Sequence, residues 1–170
     1  MFLTAGHCTF SLQRSIDSGL VDQVWVSFDS DPFAAAHTWL EVEFVITHPD
    51  FPSRPQSNWH DNGALILKSP ILSIVPAVLP EEGFLDQLRA DGALGHGTNL
   101  AKFTLVGYGA SLSFPPPRPY KDNVRQFALS EFRALLPAWL RMSQQGRTGD
   151  GGTCYGDSLA FIQEVIASMQ

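Results

Sequence analysis

The 170-residue sequence predicts an all-β fold, and two features favour it. Segments rich in β-branched and aromatic residues recur along the chain, as is typical of strands. Prolines and glycines separate these segments, as they do in turns and loops. The best helix candidate covers residues 81–94, where acidic residues occupy the first turn and Phe84, Leu85 and Leu88 share one side.

The strand pattern is clearest in four segments, 24–28, 39–46, 64–67 and 101–108, and the apolar residues after Met1 also look like the inside of a strand. Residues 125–135 fit a strand or a helix, and the alternation of Phe127 and Leu129 favours a strand. Prolines predict loops at 48–55 and 114–119 and an extended connector at 70–80, because proline removes an N–H donor and restricts the residue before it. Residues 159–170 have the apolar spacing of a short helical tail.

Composition and charge exclude several classes of protein. Hydrophobic residues make up 44% and charged residues 16%, which excludes a disordered chain. No apolar run approaches the ~18 residues of a membrane span. The net charge of −6 argues against nucleic acid and anionic membranes as partners. The two cysteines, Cys8 and Cys154, are too few for a scaffold built on disulfides.

Three residues supply the parts of a nucleophilic catalytic site. A nucleophilic serine needs a base that takes its proton and a third group that orients the base. His7, Asp61 and Ser158 follow the chain order His, Asp, Ser that is typical of chymotrypsin-type triads. Each has an ordinary structural interpretation as well: a packed histidine, a capping or turn aspartate, and a common Gly-Asp-Ser loop. Their joint occurrence in this order favours a catalytic triad over three separate structural roles.

The local motifs resemble those of the chymotrypsin-like (trypsin-like) serine proteases. The matching segments span most of the chain: Leu3-Thr4-Ala5-Gly6-His7-Cys8, His48-Pro49-Asp50-Phe51, Asp61-Asn62-Gly63-Ala64-Leu65, Val106-Gly107-Tyr108-Gly109 and Cys154-Tyr155-Gly156-Asp157-Ser158. The resemblance implies a double antiparallel Greek-key β-barrel of the chymotrypsin type, here incomplete. Residues 1–80 would form part of the first barrel with His7 and Asp61, and residues 81–170 part of the second with Ser158.

The resemblance also implies a role for each site residue. His7 would be the general base, Asp61 the carboxylate that orients it, and Ser158 the nucleophile. The backbone N–H groups of Gly156 and Ser158 would form the oxyanion hole, where a residue without Cβ lets its N–H face a carbonyl oxygen.

The same resemblance places Gly152 and Tyr155 at substrate-binding positions. Gly152 falls at the base of the specificity pocket, where an aspartate would select Arg or Lys. We therefore do not expect a trypsin-like preference for cleavage after Arg or Lys. We expect a mixed or apolar preference.

The sequence departs from the family at both ends. Ser158 is followed by Leu159-Ala160-Phe161 instead of Gly-Gly-Pro, and only residues 159–170 remain, so we expect a fragment of a longer protease. The usual partners of Cys8 and Cys154 would lie outside the chain, which predicts two free thiols. An impaired enzyme is expected, and the alternative is an inactive fragment that retains the triad residues.

Two other kinds of site, an esterase site and a metal site, fit the sequence less well than the triad. Gly156-Asp157-Ser158-Leu159 matches the GDSL esterase signature, but no histidine follows residue 96 to complete that site. His37, His48 and His96 show no metal-ligand spacing, and His60 is expected at the surface or in a turn. We therefore expect no metal and no cofactor.

The resemblance also bears on partners and location. Protein or peptide substrates and a monomeric state are expected. The family is secreted, although the residues after Met1 do not form a signal peptide.

Overall fold

The computed structural model shows a mostly β protein with two four-stranded antiparallel sheets, one of them curled as a half-barrel, and two helices. It describes residues 1–51, 60–95, 102–108, 111–113, 118–120, 124–136, 139–142 and 153–154. The all-β prediction is confirmed at this coarse level, although the described residues contain two helices where the sequence predicted one. Neither described helix, at 12 and 7 residues, has the length and apolar character needed to cross a membrane.

The first sheet is centred on a strand that is buried on both sides. Its strand order is β1-β4-β3-β2, and its bounds are β1 Phe2–Thr4, β2 Trp25–Val26, β3 Leu40–Thr47 and β4 Gly63–Leu67. Residues 63–66 of β4 are all buried, and β4 pairs with β1 on one edge and with β3 on the other. This burial explains why its sequence is a continuous apolar run and not an alternating one.

A helix that the sequence pattern missed follows β1 directly. Helix α1 covers Gly6–Asp17 and has Ser18 as its C-cap. Gly19 comes next, with the positive φ of 72° that is typical of the residue after a helix C-cap. Thr9, within α1, is fully buried, donates its hydroxyl proton to the Gly6 carbonyl at 3.0 Å and accepts a hydrogen bond from the Thr47 hydroxyl at 2.8 Å. These contacts fix the first turn of α1 against β3 and β4.

The strands of the second sheet come after the second helix in the sequence. Helix α2 covers Phe84–Ala90, inside the predicted segment 81–94. The strand order is β10-β9-β8-β5, and a separate hairpin pairs β6 with β7. The bounds are β5 Lys102–Gly107, β6 Ser111–Ser113, β7 Arg118–Tyr120, β8 Gln126–Leu135, β9 Trp139–Met142 and β10 Thr153–Cys154.

Most predicted strands are confirmed within a residue or two, whereas β6, β7, β9 and β10 were missed. Arg118 and Pro119 lie in β7, so the loop predicted at 114–119 is wrong at its end. The connector at 70–80 is confirmed as neither helix nor strand. The helical tail predicted at 159–170 lies outside the described residues.

The chain divides into two compact units. The first contains Met1–Ser27 and Trp39–Glu82, and the second contains Phe28–Thr38 and Gly83–Thr153. The segment Phe28–Thr38 is held within the second unit by hydrogen bonds from the Arg125 guanidinium to the Phe28 carbonyl and from the Tyr108 hydroxyl to the Asp29 carbonyl. That the units are halves of a protease, as the sequence division at residues 80 and 81 implies, stays a prediction.

Replacing Gly63 with alanine should destabilise the first unit. A Cβ at this position would overlap the methyl and hydroxyl groups of Thr9, which is fully buried. We expect the free energy of unfolding in urea to fall by about 1–3 kcal/mol, the usual cost of overpacking a core. In a Thr9→Ala background the same substitution should cost less, and an equal cost in both backgrounds would contradict this packing.

Replacing Lys68 with glutamine should raise the pKa of Glu41. The hydrogen bond from the Lys68 ammonium, with smaller contributions from the Gln23 amide and from the Lys68 charge, holds the pKa of the Glu41 carboxyl below its ordinary value. Because this pKa is lower in the folded state, the pair's small stabilisation is lost as the pH falls through it. Carboxyl carbon NMR titration should show the rise, and an unchanged Glu41 midpoint would argue against the contact.

Candidate functional site

His7 and Asp61 meet because β1 and β4 are antiparallel neighbours. Thr4 at the end of β1 is paired with Gly63 at the start of β4. The residues that leave β1 and those that lead into β4 therefore lie at the same end of the sheet. His7 follows β1 by three residues and Asp61 precedes β4 by two, so the register brings them together.

A glycine allows the closest approach at this point. An added Cβ on Gly6 would lie 2.8 Å from the backbone nitrogen of Asn62 and 2.9 Å from its backbone oxygen. Both distances are too short, and backbone atoms cannot move aside as a flexible side chain can. Gly6 therefore lets the first turn of α1 rest directly on the segment that carries Asp61. This is the physical reason for a glycine immediately before His7.

Three contacts join His7 to the Asp61 carboxylate. The His7 backbone N–H donates to Oδ1 at 2.7 Å, and the ring Nδ1 lies 3.1 Å from Oδ1 and 2.9 Å from Oδ2. A carboxylate beside Nδ1 favours the tautomer that carries its proton there, which leaves the Nε2 lone pair as the acceptor. The His7 side chain is 65% exposed and that of Asp61 is 22% exposed. The Asp61 carboxylate is thus partly shielded from solvent and contacts the Nδ1 side of an imidazole that is otherwise accessible.

Asp61 also serves as the cap of α1. Ala5 at the N-cap position provides no side-chain hydrogen bond, and the first turn carries no acidic residue. The first N–H groups of a helix lack partners within it and attract negative charge. The Asp61 carboxylate accepts the N–H of His7, so a residue 54 positions away does what a local Ser or Asp usually does.

A second group of polar side chains lies beyond the other edge of β4. His48 follows β3, and its N–H donates to the Asn62 carbonyl at 3.0 Å. The ring of His60 stacks on that of His48 with centroids 4.8 Å apart, and Asp50 lies beside them. Sequence spacing did not indicate this group, because its members meet only through the β3–β4 register. His60 lies outside the strands, as expected of a turn residue.

The remaining predicted site residues lie outside the described part of the chain. These are Gly152, Tyr155, Gly156 and Ser158. Cys154 ends β10, and Cys8 is an exposed free thiol, which confirms that part of the cysteine prediction. Comparison with known proteins found no family model that matches the chain and no similar curated protein.

Removing the Asp61 carboxylate should expose the His7 amide to solvent exchange. The substitution Asp61→Ala deletes the only acceptor that the described residues show for this N–H. We expect hydrogen exchange at His7 to speed up by roughly tenfold or more, because a hydrogen bond to a charged group contributes about 1.5–3 kcal/mol.

The matched control for this exchange experiment is Asp17→Ala at the other end of α1. Asp17 accepts a hydrogen bond from Gln13 and does not contact His7. Equal exchange rates in the wild type and Asp61→Ala would contradict the cap.

Proposed function

We propose that this chain is a serine endopeptidase whose general base is His7 and whose orienting carboxylate is Asp61. The supporting observation is the pair of contacts between the His7 Nδ1 and the Asp61 carboxylate at 2.9 and 3.1 Å. In Ser-His-Asp catalysis the carboxylate fixes the tautomer and orientation of the imidazole and stabilises the imidazolium that forms. Ser158 lies outside the described residues, so its role as the nucleophile depends on the sequence resemblance.

The proposed reaction uses His7 twice. Its Nε2 takes the proton of the Ser158 hydroxyl while Oγ attacks the peptide carbonyl carbon, and the N–H groups of Gly156 and Ser158 stabilise the resulting oxyanion. The imidazolium then protonates the leaving amine, the C–N bond breaks and an acyl-enzyme remains. Water, deprotonated by the same imidazole, hydrolyses the acyl-enzyme and regenerates Ser158.

The proposal extends to the finer fold and to the substrate. The two sheets would belong to two chymotrypsin-type Greek-key barrels. Substrates would be proteins or peptides, with cleavage after mixed or apolar residues since Gly152 offers no carboxylate to bind Arg or Lys. Exposure of His7 at 65% leaves its imidazole accessible to an extended peptide.

Labelling with a fluorophosphonate probe tests the proposed triad. The probe reacts with a serine that a neighbouring base has activated, so the wild type should be labelled and Ser158→Ala should not. Ser73→Ala, at an exposed position of the connector, is the matched control and should be labelled like the wild type. An unlabelled wild-type protein that is folded by circular dichroism would overturn the proposal and favour a catalytically inactive chain that retains the triad residues.

The substitution Asp61→Asn should impair catalysis far more than it impairs folding. The amide still accepts the His7 N–H, but its NH₂ group favours the wrong imidazole tautomer. The rate of labelling and of peptide hydrolysis should fall by up to about 10⁴-fold, as for other triad carboxylates. A loss of less than tenfold, with unchanged stability in urea, would show that Asp61 has only the capping role.

A further inference from the structure

We propose that His48, Asp50 and His60 form a binding site for a divalent transition metal of the Zn²⁺ type. One nitrogen of each imidazole and one oxygen of the Asp50 carboxylate lie within 4.8 Å of one another. The inference uses none of the three triad residues, so it stands whether or not the chain is a protease.

The backbone holds the three residues close together before any metal binds. The Asn62 carbonyl accepts the N–H of His48 at 3.0 Å, which continues the β3–β4 ladder by one step past Thr47 and Gly63. The chain then turns, since the Phe51 N–H donates to the His48 carbonyl at 3.0 Å, and this turn sets Asp50 beside His48. His60 lies on the segment that leads into β4, the strand paired with β3.

His60 adopts an unusual backbone conformation at this point. Its φ is 47°, in the left-handed region that few residues other than glycine and asparagine occupy. The Asn62 N–H donates to the His60 carbonyl at 2.7 Å, which closes a tight turn around Asp61. The imidazole of His60 consequently stacks on that of His48, with an angle of 26° between the rings.

The donor set fits zinc-like ions better than calcium or magnesium. Two imidazoles and one carboxylate are a common protein ligand set for Zn²⁺ and related metals, and a fourth position stays open for water. Donor atoms around tetrahedral zinc are about 3.4 Å apart, so the side chains draw together on binding. Asp50 is exposed and has room to do this, whereas His48 is 8% exposed and is held in place.

Metal binding has a specific structural consequence at Asp50. The Nδ1 of His48 accepts a hydrogen bond from the Asp50 N–H at 3.1 Å. Coordination through Nδ1 uses that lone pair, and coordination through Nε2 moves the ring proton to Nδ1. Either route breaks this hydrogen bond, so the Asp50 amide reports on occupancy.

Calorimetric titration of the full chain with Zn²⁺ tests the site, with Co²⁺ absorption as a second readout. The wild type should bind one ion. The substitution His60→Asn removes an imidazole while asparagine tolerates the left-handed backbone, and it should weaken binding by at least about tenfold, since even the loss of a second-shell contact costs about 10–100-fold. His37→Asn is the matched control, because His37 is exposed and lies outside the cluster, and it should bind like the wild type.

Two outcomes would overturn the site: no Zn²⁺ binding by the folded wild type, or equal affinity in the wild type and His60→Asn. If His60→Asn fails to fold, NMR of the wild type decides. Zinc should then shift the Asp50 amide and the ring nitrogens of His48 and His60. Unchanged signals at those three residues under saturating Zn²⁺ would reject the proposal.

Discussion

The contact between the first turn of α1 and the start of β4 determines the geometry of the candidate site. Gly6 rests against the backbone of Asn62, and Gly63 lies against the buried side chain of Thr9. A β-carbon at either glycine would require the helix to move away from the strand. Because the Asp61 carboxylate reaches the His7 N–H and Nδ1 only at this separation, two glycines set the distance between the two polar groups.

The same contact explains why α1 exists. A 12-residue helix is marginal by itself, and this one begins without a local side-chain cap. The Asp61 carboxylate provides the cap from a distant part of the chain, and Thr9 contributes a buried hydroxyl that bonds to both the helix and Thr47. The helix and the His7–Asp61 pair therefore depend on one another: the carboxylate that holds the imidazole also completes the helix.

Sequence patterns predicted the strands better than the helices. The apolar run Ala64–Leu67 predicted a buried strand correctly, because burial on both sides requires such a run. Helix α1 was missed because its stabilising partners, Asp61 and Thr47, are far away in sequence, and because Gly6 and Thr9 are weak helix formers. His7 and Asp61 were singled out from motif and order, but their separation depends on the β1–β4 register. The His48–His60 stack depends on the β3–β4 register, which local patterns do not reveal.

The segment His60-Asp61-Asn62 serves three functions in three consecutive residues. The His60 ring stacks on His48, the Asp61 carboxylate holds His7, and the Asn62 carbonyl accepts the His48 N–H. The turn closed between His60 and Asn62 makes this possible, because it separates the directions of neighbouring side chains more sharply than a strand does. It follows that the left-handed backbone of His60 matters for the catalytic proposal as well as for the metal proposal. A residue that cannot adopt φ near 47° there would displace Asp61 from His7 even if its side chain contacted nothing.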